Sequence, residues 1–182
     1  MAFPALLDAC VLIPIRLADL LLRLAEADAY RPLWSEEILD EVERNLVTKF
    51  GLTADRAQRR LVGMTTSFPD AEVTGYQSLI PSMTNDHKDR HVLAAAVRAD
   101  AAVIVTANLK DFPAESTKPY HIDVVHPDDF LLDQLDLYPG TTVRCVREQL
   151  LAKRNPRESV EEFVLRFSAT VPTFAQELRR YL

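Results

Sequence analysis

The sequence predicts an α/β fold with a mainly parallel sheet flanked by helices. Short apolar runs alternate along the chain with helical patterns, which is typical of strand–helix–strand units. The first run, FPALLDACVLI, is almost wholly apolar, as expected for a strand covered on both faces. A length of 182 residues, with 48% hydrophobic and 26% charged residues, suits one domain with a substantial core.

The first half of the chain is predicted to contain two strands and three helices. In order, these are the strand FPALLDACVLI, a helix over 17–29, the strand YRPLW, and helices over 35–50 and 53–67. Ser35 is a good helix N-cap and is followed by two acids, which favour the positive end of the helix dipole. Gly51 ends that helix, and Thr53 begins the next one.

The second half continues the alternation up to residue 137. It contains the weak strand AEVTGY, a helix over 85–99, the strands AAVIVTAN and HIDVV, and a helix over 128–137. Pro139-Gly140 predicts a break, after which the chain looks helical throughout. Asn155 and Pro156 predict the start of one of these later helices. We therefore expect an α/β domain over 1–137 and a helical C-terminal extension over 138–182, packed on the same domain.

Composition excludes several classes of protein. No apolar run approaches the roughly 20 residues that a membrane span needs, and the N-terminus lacks the basic region of a secretory signal. Cys10 and Cys145 form neither a metal-type pair nor a disulfide framework, so we expect a cytoplasmic protein with free thiols. The net charge of −6 gives no overall attraction to nucleic acid.

Four acids from separate segments are predicted to face a common crevice. On a helical wheel, Asp89 falls in the middle of an apolar stripe, where an unpaired carboxylate costs several kcal/mol. Asp8 follows the first buried strand and Asp111 follows the strand AAVIV, at the sheet edge where α/β proteins bind ligands. Glu41 borders the apolar face of its helix. Oxygen ligands without Cys or His suit Mg²⁺ or Mn²⁺.

Each acid taken alone also has an ordinary structural explanation. Asp8 could cap the following helix, Glu41 could be a solvated helix acid, and Asp111 could be a turn residue. Asp89 could pair with a buried arginine, and Asp86 could interact with a helix dipole or support the site. The joint pattern favours a functional site.

Four segments, in order, resemble the acidic motifs of PIN-domain ribonucleases, and most closely those of VapC-type toxins. These segments are LLDACVL, SEEILDEVERNL, NDHKDRHVLAAAV and VIVTANLKDF. The resemblance implies a PIN-like fold over about residues 3–130, with Asp8, Glu41, Asp89 and Asp111 as the catalytic and metal-binding quartet. Thr106 and Asn108 match supporting positions at the second strand end. The long helical extension departs from the minimal pattern.

The resemblance also implies an activity and its partners. It implies an endoribonuclease that depends on Mg²⁺ or Mn²⁺, in which activated water attacks an RNA phosphodiester and leaves a 5′-phosphate. A protein antitoxin that blocks the site and a homodimer are implied as well. Lys88, Arg90 and Lys110 adjoin the proposed ligands and are candidates for binding the RNA backbone. Two more distant basic segments, DRAQRR and AKRNPR, are expected to be solvated helix faces.

Three other functions remain as alternatives. His87 and His91 have the spacing of a zinc-binding helix, but Lys88 stands where the required Glu would be. Both histidines project from the polar side of the predicted helix, so we expect them to face solvent. An aspartyl-phosphate phosphatase would have a second Asp two residues after Asp8, where Cys10 stands. A PIN-like module that binds RNA or protein without catalysis is the third.

Overall fold

The protein forms a five-stranded parallel sheet in the order β3-β2-β1-β4-β5. The computed structural model describes residues 2–152 and 158–182. Each strand pair is parallel, as the alternation of strands and helices predicts. The strands are β1 (Pro4–Leu7), β2 (Arg31–Ser35), β3 (Glu72–Val73), β4 (Val103–Val105) and β5 (Asp123–Val125).

The helices cover both faces of this sheet and continue into the C-terminal extension. Those before residue 100 are α1 (Ala9–Leu12), α2 (Ile15–Glu26), α3 (Glu36–Thr48), α4 (Ala54–Ser67) and α5 (Arg90–Arg98). Those after it are α6 (Ala114–Thr117), α7 (Pro127–Leu137), α8 (Pro139–Ala152), α9 (Val160–Phe167) and α10 (Pro172–Leu178). Short 3₁₀ turns occur at Gln77–Ser82, His87–Asp89, Leu109–Asp111 and Lys118–Tyr120.

The first strand is the centre of the sheet and the point where strand order reverses. Leu6 of β1 lies in register with Leu33 of β2 on one side and with Ile104 of β4 on the other. All three leucine and isoleucine side chains are buried. In sheets of this kind the crevice at the carboxyl ends of such strands binds ligands. The residues that follow β1 and β4 therefore share one functional edge.

Several predicted boundaries differ from those observed. The first strand ends at Leu7, because Asp8 caps α1 immediately afterwards. The helix predicted over 85–99 begins as a 3₁₀ turn and becomes α-helical only at Arg90. The break is at Tyr138, and α8 begins directly at Pro139. The helix start predicted at Asn155-Pro156 lies outside the described residues.

The C-terminal helices pack against the rest of the chain through α2 and α7. Helix α8 contacts α2 and α7, and α10 contacts α7 and α9. Asp128 of α7 is buried, and its two carboxylate oxygens accept hydrogen bonds from the backbone N–H groups of Thr173 and Phe174 at 3.0 and 2.8 Å. Arg16 of α2 forms a two-point ion pair with Glu158, at 2.8 and 2.9 Å.

No helix within residues 2–152 and 158–182 has the length and apolar character needed to cross a membrane.

Candidate active site

Asp8 is held in place at the end of β1 by three hydrogen bonds to its carboxylate. Oδ1 accepts from the N–H of Ala9 at 2.7 Å, which caps α1. Oδ2 accepts from Thr106 Oγ1 at 2.7 Å and from Cys10 Sγ at 3.2 Å. The residue is only 3% exposed. The capping interpretation is therefore correct for one oxygen, while the other is bound by residues of the candidate site.

The loop after β4 places its polar residues beside Asp8. Thr106 is buried, and its Oγ1 accepts from the N–H of Asn108 at 3.0 Å while donating to Asp8. Asn108 is exposed and Asp111 is half-buried. The N–H of Asp86 donates to the carbonyl of Asp111 at 3.0 Å. This bond joins the loop after β4 to the turn that carries Asp89.

Asp89 lies at the junction of a 3₁₀ turn and α5. It is half-buried, and its side chain makes no capping hydrogen bond to α5. The prediction that it lies within an α-helix was wrong, because the chain forms a 3₁₀ turn up to Asp89 and the α-helix begins at Arg90. Asp86 caps this turn by accepting from the N–H of Lys88 at 3.0 Å. The local contact of Asp86 therefore agrees with the explanation that it interacts with the start of a helix.

The negative charges of the other acids at the site affect the pKa of Asp89. The pKa of Asp89 is raised from 3.8 to about 6, chiefly by burial and then by the negative charges of Asp8, Asp111, Asp86 and Glu41, in that order. Glu41 is half-buried on α3, which contacts α1. Within the described residues, no Lys or Arg forms an ion pair with any of these acids. The arginine-pair explanation for Asp89 thus finds no support in this part of the chain.

The acids are electrostatic neighbours but do not form a closed ligand cage. Over residues 2–152 and 158–182, no three His, Cys, Asp or Glu side chains lie close enough together to hold a metal ion as they stand. The donor set nevertheless fits a hard dication, because it consists of carboxylate oxygens whose mutual repulsion a cation would relieve. Asp8 also retains acceptor capacity, since three hydrogen bonds leave about one of the four acceptor positions of a carboxylate free.

Two of the three basic candidates are exposed beside the acids. Lys88 and Lys110 are exposed, whereas Arg90 is half-buried and its Nε donates to the carbonyl of Asn85 at 3.4 Å. In the more distant basic segment DRAQRR, the Arg60 guanidinium donates to the carbonyls of Leu12 and Ile13, so it has a structural role. The segment AKRNPR falls mainly outside the described residues.

The two histidines differ in their surroundings. His87 is exposed, as expected from its polar helix face. His91 is half-buried, and within the described structure its Nδ1 is enclosed without a hydrogen-bond partner. The expectation that both histidines face solvent was therefore wrong for His91.

Cys10 is a residue of the site that sequence reasoning missed. Its Sγ accepts from the N–H of Ala107 at 3.2 Å and lies 3.4 Å from Thr106 Oγ1, in addition to its bond to Asp8. Burial, followed by the charge of Asp8, raises the pKa of the Cys10 thiol to about 12, so the thiol is a donor at neutral pH. The sequence feature that could have indicated Cys10 is its position two residues after Asp8, at the start of a short helix.

Comparison with known proteins identifies the family. Residues 4–110 match the family described as PIN domain, and residues 127–180 match the family described as VapC50 C-terminal domain. A protein of Mycobacterium tuberculosis (strain ATCC 25618 / H37Rv) named "Putative ribonuclease VapC50" is 48% identical over 118 residues, which cover 65% of this chain and 68% of that protein. No solved structure matches. The chain therefore belongs to the PIN-domain family, as a VapC-like member with a helical C-terminal region.

Proposed function

We propose that the chain is an endoribonuclease that requires Mg²⁺ or Mn²⁺ and uses Asp8, Glu41, Asp89 and Asp111 to hold the ion. The observation that carries this proposal is the mutual electrostatic influence of these acids on Asp89, with no ion pair to any of them among the described residues. The 48% identical relative, which is named a ribonuclease, supports RNA as the substrate. The reaction is hydrolysis of a phosphodiester bond.

The residues of the site have two proposed roles, which are binding a metal ion and binding RNA. Asp8 is fixed by its hydrogen bonds, whereas Glu41, Asp89 and Asp111 are only half-buried and can rotate toward a common ion. When bound, a divalent ion lowers the pKa of a water ligand and neutralises phosphate charge. Lys88 and Lys110 stand next to the acids in sequence and are free to contact the RNA backbone.

The supporting residues keep the loop after β4 in a fixed conformation. Thr106 donates to Asp8 and accepts from the N–H of Asn108, so one hydroxyl aligns both. Asn108 is exposed at the site and is available to orient a phosphate or a water molecule. Asp86 joins the Asp89 turn to the loop through the carbonyl of Asp111.

A nuclease assay tests the proposal directly. Structured RNA is incubated with the wild-type chain in Mn²⁺, Mg²⁺ or EDTA, and with Asp8→Asn and Asp89→Asn. We expect cleavage that depends on the metal and falls at least about 100-fold in either variant, because each removes an anionic ligand. Glu72→Gln is the control, because Glu72 is an exposed acid on β3, the edge strand that is separated from β1 by β2. Equal cleavage by wild type and both site variants would reject the proposal.

A non-catalytic RNA- or protein-binding module is the second candidate. It is favoured by one observation, that no three metal-binding side chains of the described residues are close enough to hold an ion. Binding of RNA without cleavage in any divalent metal would support it against the nuclease proposal.

We further propose that the chain is the toxin of a toxin–antitoxin pair and acts in the cytoplasm. Its VapC-like sequence supports an antitoxin protein as partner, and a homodimer is part of the same proposal. Expression of the wild type should arrest bacterial growth, and co-expression of the small protein encoded next to it should relieve the arrest. Growth arrest by Asp8→Asn as strong as that by the wild type would contradict the toxin assignment.

A further inference from the structure

The Cys10 thiol connects the end of β1 with the loop that follows β4. It donates to Asp8 Oδ2 at 3.2 Å and accepts from the N–H of Ala107 at 3.2 Å. Thr106 Oγ1 lies 3.4 Å away and donates to the same carboxylate oxygen. One small side chain thus contacts a proposed metal ligand and the backbone of the loop that carries two other site residues.

The hydrogen bonds of Asp8 distinguish its two oxygens. An ionised carboxylate has about four acceptor positions, two on each oxygen. Oδ2 accepts from both Thr106 and Cys10, whereas Oδ1 accepts only from the N–H of Ala9. The remaining acceptor position is therefore on Oδ1. We propose that Cys10 is a positioning residue that, together with Thr106, holds Oδ2 so that Asp8 presents Oδ1 to the metal ion.

The backbone of Asp8 is fixed independently of the thiol. The N–H of Asp8 donates to the carbonyl of Val105 at 3.1 Å, and the strand pairing of β1 with β4 is continuous up to this point. Loss of the thiol should therefore leave the strand pairing in place, while the Asp8 carboxylate keeps only two of its three hydrogen bonds and is held less firmly. This loss also removes the hydrogen-bond acceptor of the Ala107 N–H, so the loop carrying Asn108 and Asp111 loses one of its attachments.

This inference rests on the proposed function, and metal binding provides a test that does not require catalysis. Mn²⁺ affinity is measured by titration calorimetry on the full chain for wild type, Cys10→Ala, Cys10→Ser and Cys145→Ser. Cys145→Ser is the matched control, because Cys145 is a buried thiol on α8 that donates to the carbonyl of Arg23, in the interface between α8 and α2. Thermal unfolding in EDTA establishes that each variant is folded.

The outcomes separate the inference from the proposed function. We expect Cys10→Ala to weaken Mn²⁺ binding about 10- to 100-fold, the usual effect of removing a group that orients a metal ligand. Cys10→Ser should recover most of this loss, since a hydroxyl can donate and accept in the same way, and Cys145→Ser should bind as wild type does. Unchanged affinity in Cys10→Ala, or equal weakening in Cys10→Ser, would overturn the positioning role alone. A wild-type chain that binds no Mn²⁺ would overturn the proposed function and this inference with it.

Discussion

Replacing Asp89 by Asn should stabilise the metal-free protein while impairing the proposed activity. The folded state raises the pKa of Asp89 from 3.8 to about 6, first through burial and then through the charges of neighbouring acids. A displacement of this size corresponds to about 3 kcal/mol. Because Asp89 is only half-buried, solvent screening reduces the expected gain for Asn to about 1–2 kcal/mol. For a chain of this length that raises Tm by about 2–8 °C.

The pH dependence of this gain has a definite sign. Because the folded state binds the Asp89 proton more tightly than the unfolded state, ionised Asp89 destabilises the wild type fully above pH 6. The destabilisation decreases as the pH falls through 6 and is lost below 3.8. Asp89→Asn should therefore exceed the wild type in Tm at pH 8 in EDTA, and the two proteins should converge near pH 4.

Thermal unfolding followed by circular dichroism measures both effects. Asp55→Asn is the matched control, because Asp55 is an exposed acid near a helix start, in the first turn of α4, whereas Asp89 is half-buried immediately before α5. It should lose about 0.3–1 kcal/mol through the helix dipole rather than gain stability. With excess Mn²⁺, wild type should gain more in Tm than Asp89→Asn. A variant that is no more stable than wild type at pH 8 in EDTA would refute the idea that the acids repel one another at this site.

Three further substitutions test the supports of the site and of the extension. Thr106→Val should reduce Mn²⁺ affinity and RNA cleavage about 10- to 100-fold, because it removes the buried donor to Asp8, whereas Thr106→Ser should keep both near wild type. Asp128→Ala should lower the free energy of unfolding by about 1–3 kcal/mol in denaturant titrations, since two N–H groups of the C-terminal region lose a carboxylate acceptor. Arg16→Met should lower it by about 1–2 kcal/mol, since Glu158 loses its two-point ion pair with Arg16 but keeps Arg166 at 3.2 Å.

Each of these predictions has an outcome that contradicts it. Equal Mn²⁺ affinity in Thr106→Val and Thr106→Ser would show that the hydroxyl does not support Asp8. An Asp128→Ala protein as stable as wild type would mean that water replaces the carboxylate at no cost. An Arg16→Met protein as stable as the wild type would show that the ion pair with Glu158 does not stabilise the fold.

The positions of the strands along the chain could be predicted from the sequence, because a strand buried on both faces leaves a distinct apolar run. The run ending in Leu7 and the run ending in Val105 both proved to be strands, and their ends form one edge of the sheet. That β1 pairs with β4 as well as with β2 depends on contacts between residues almost a hundred positions apart. No local pattern contains that information.

Two acids could be selected as candidates because each follows a buried strand, where a carboxylate conflicts with its surroundings. These are Asp8 and Asp111, and the charges of both raise the pKa of Asp89 in the structure. The local geometry of Asp89 was not predictable from a helical wheel, because the turn before α5 is 3₁₀ rather than α-helical. Cys10 was missed because a lone thiol looks like an ordinary small apolar residue until its partners are known.

The Asp128 carboxylate makes the C-terminal helices and α7 depend on each other. Asp128 is 7% exposed, and both of its carboxylate oxygens accept hydrogen bonds from N–H groups at the start of α10. A relative that ends before this region would lack both N–H donors, so this contact would no longer require an acid at the position of Asp128. An acid at this position should therefore occur in relatives that have the final two helices and be less frequent in relatives that lack them. An alignment of sequences of both lengths would show this covariation.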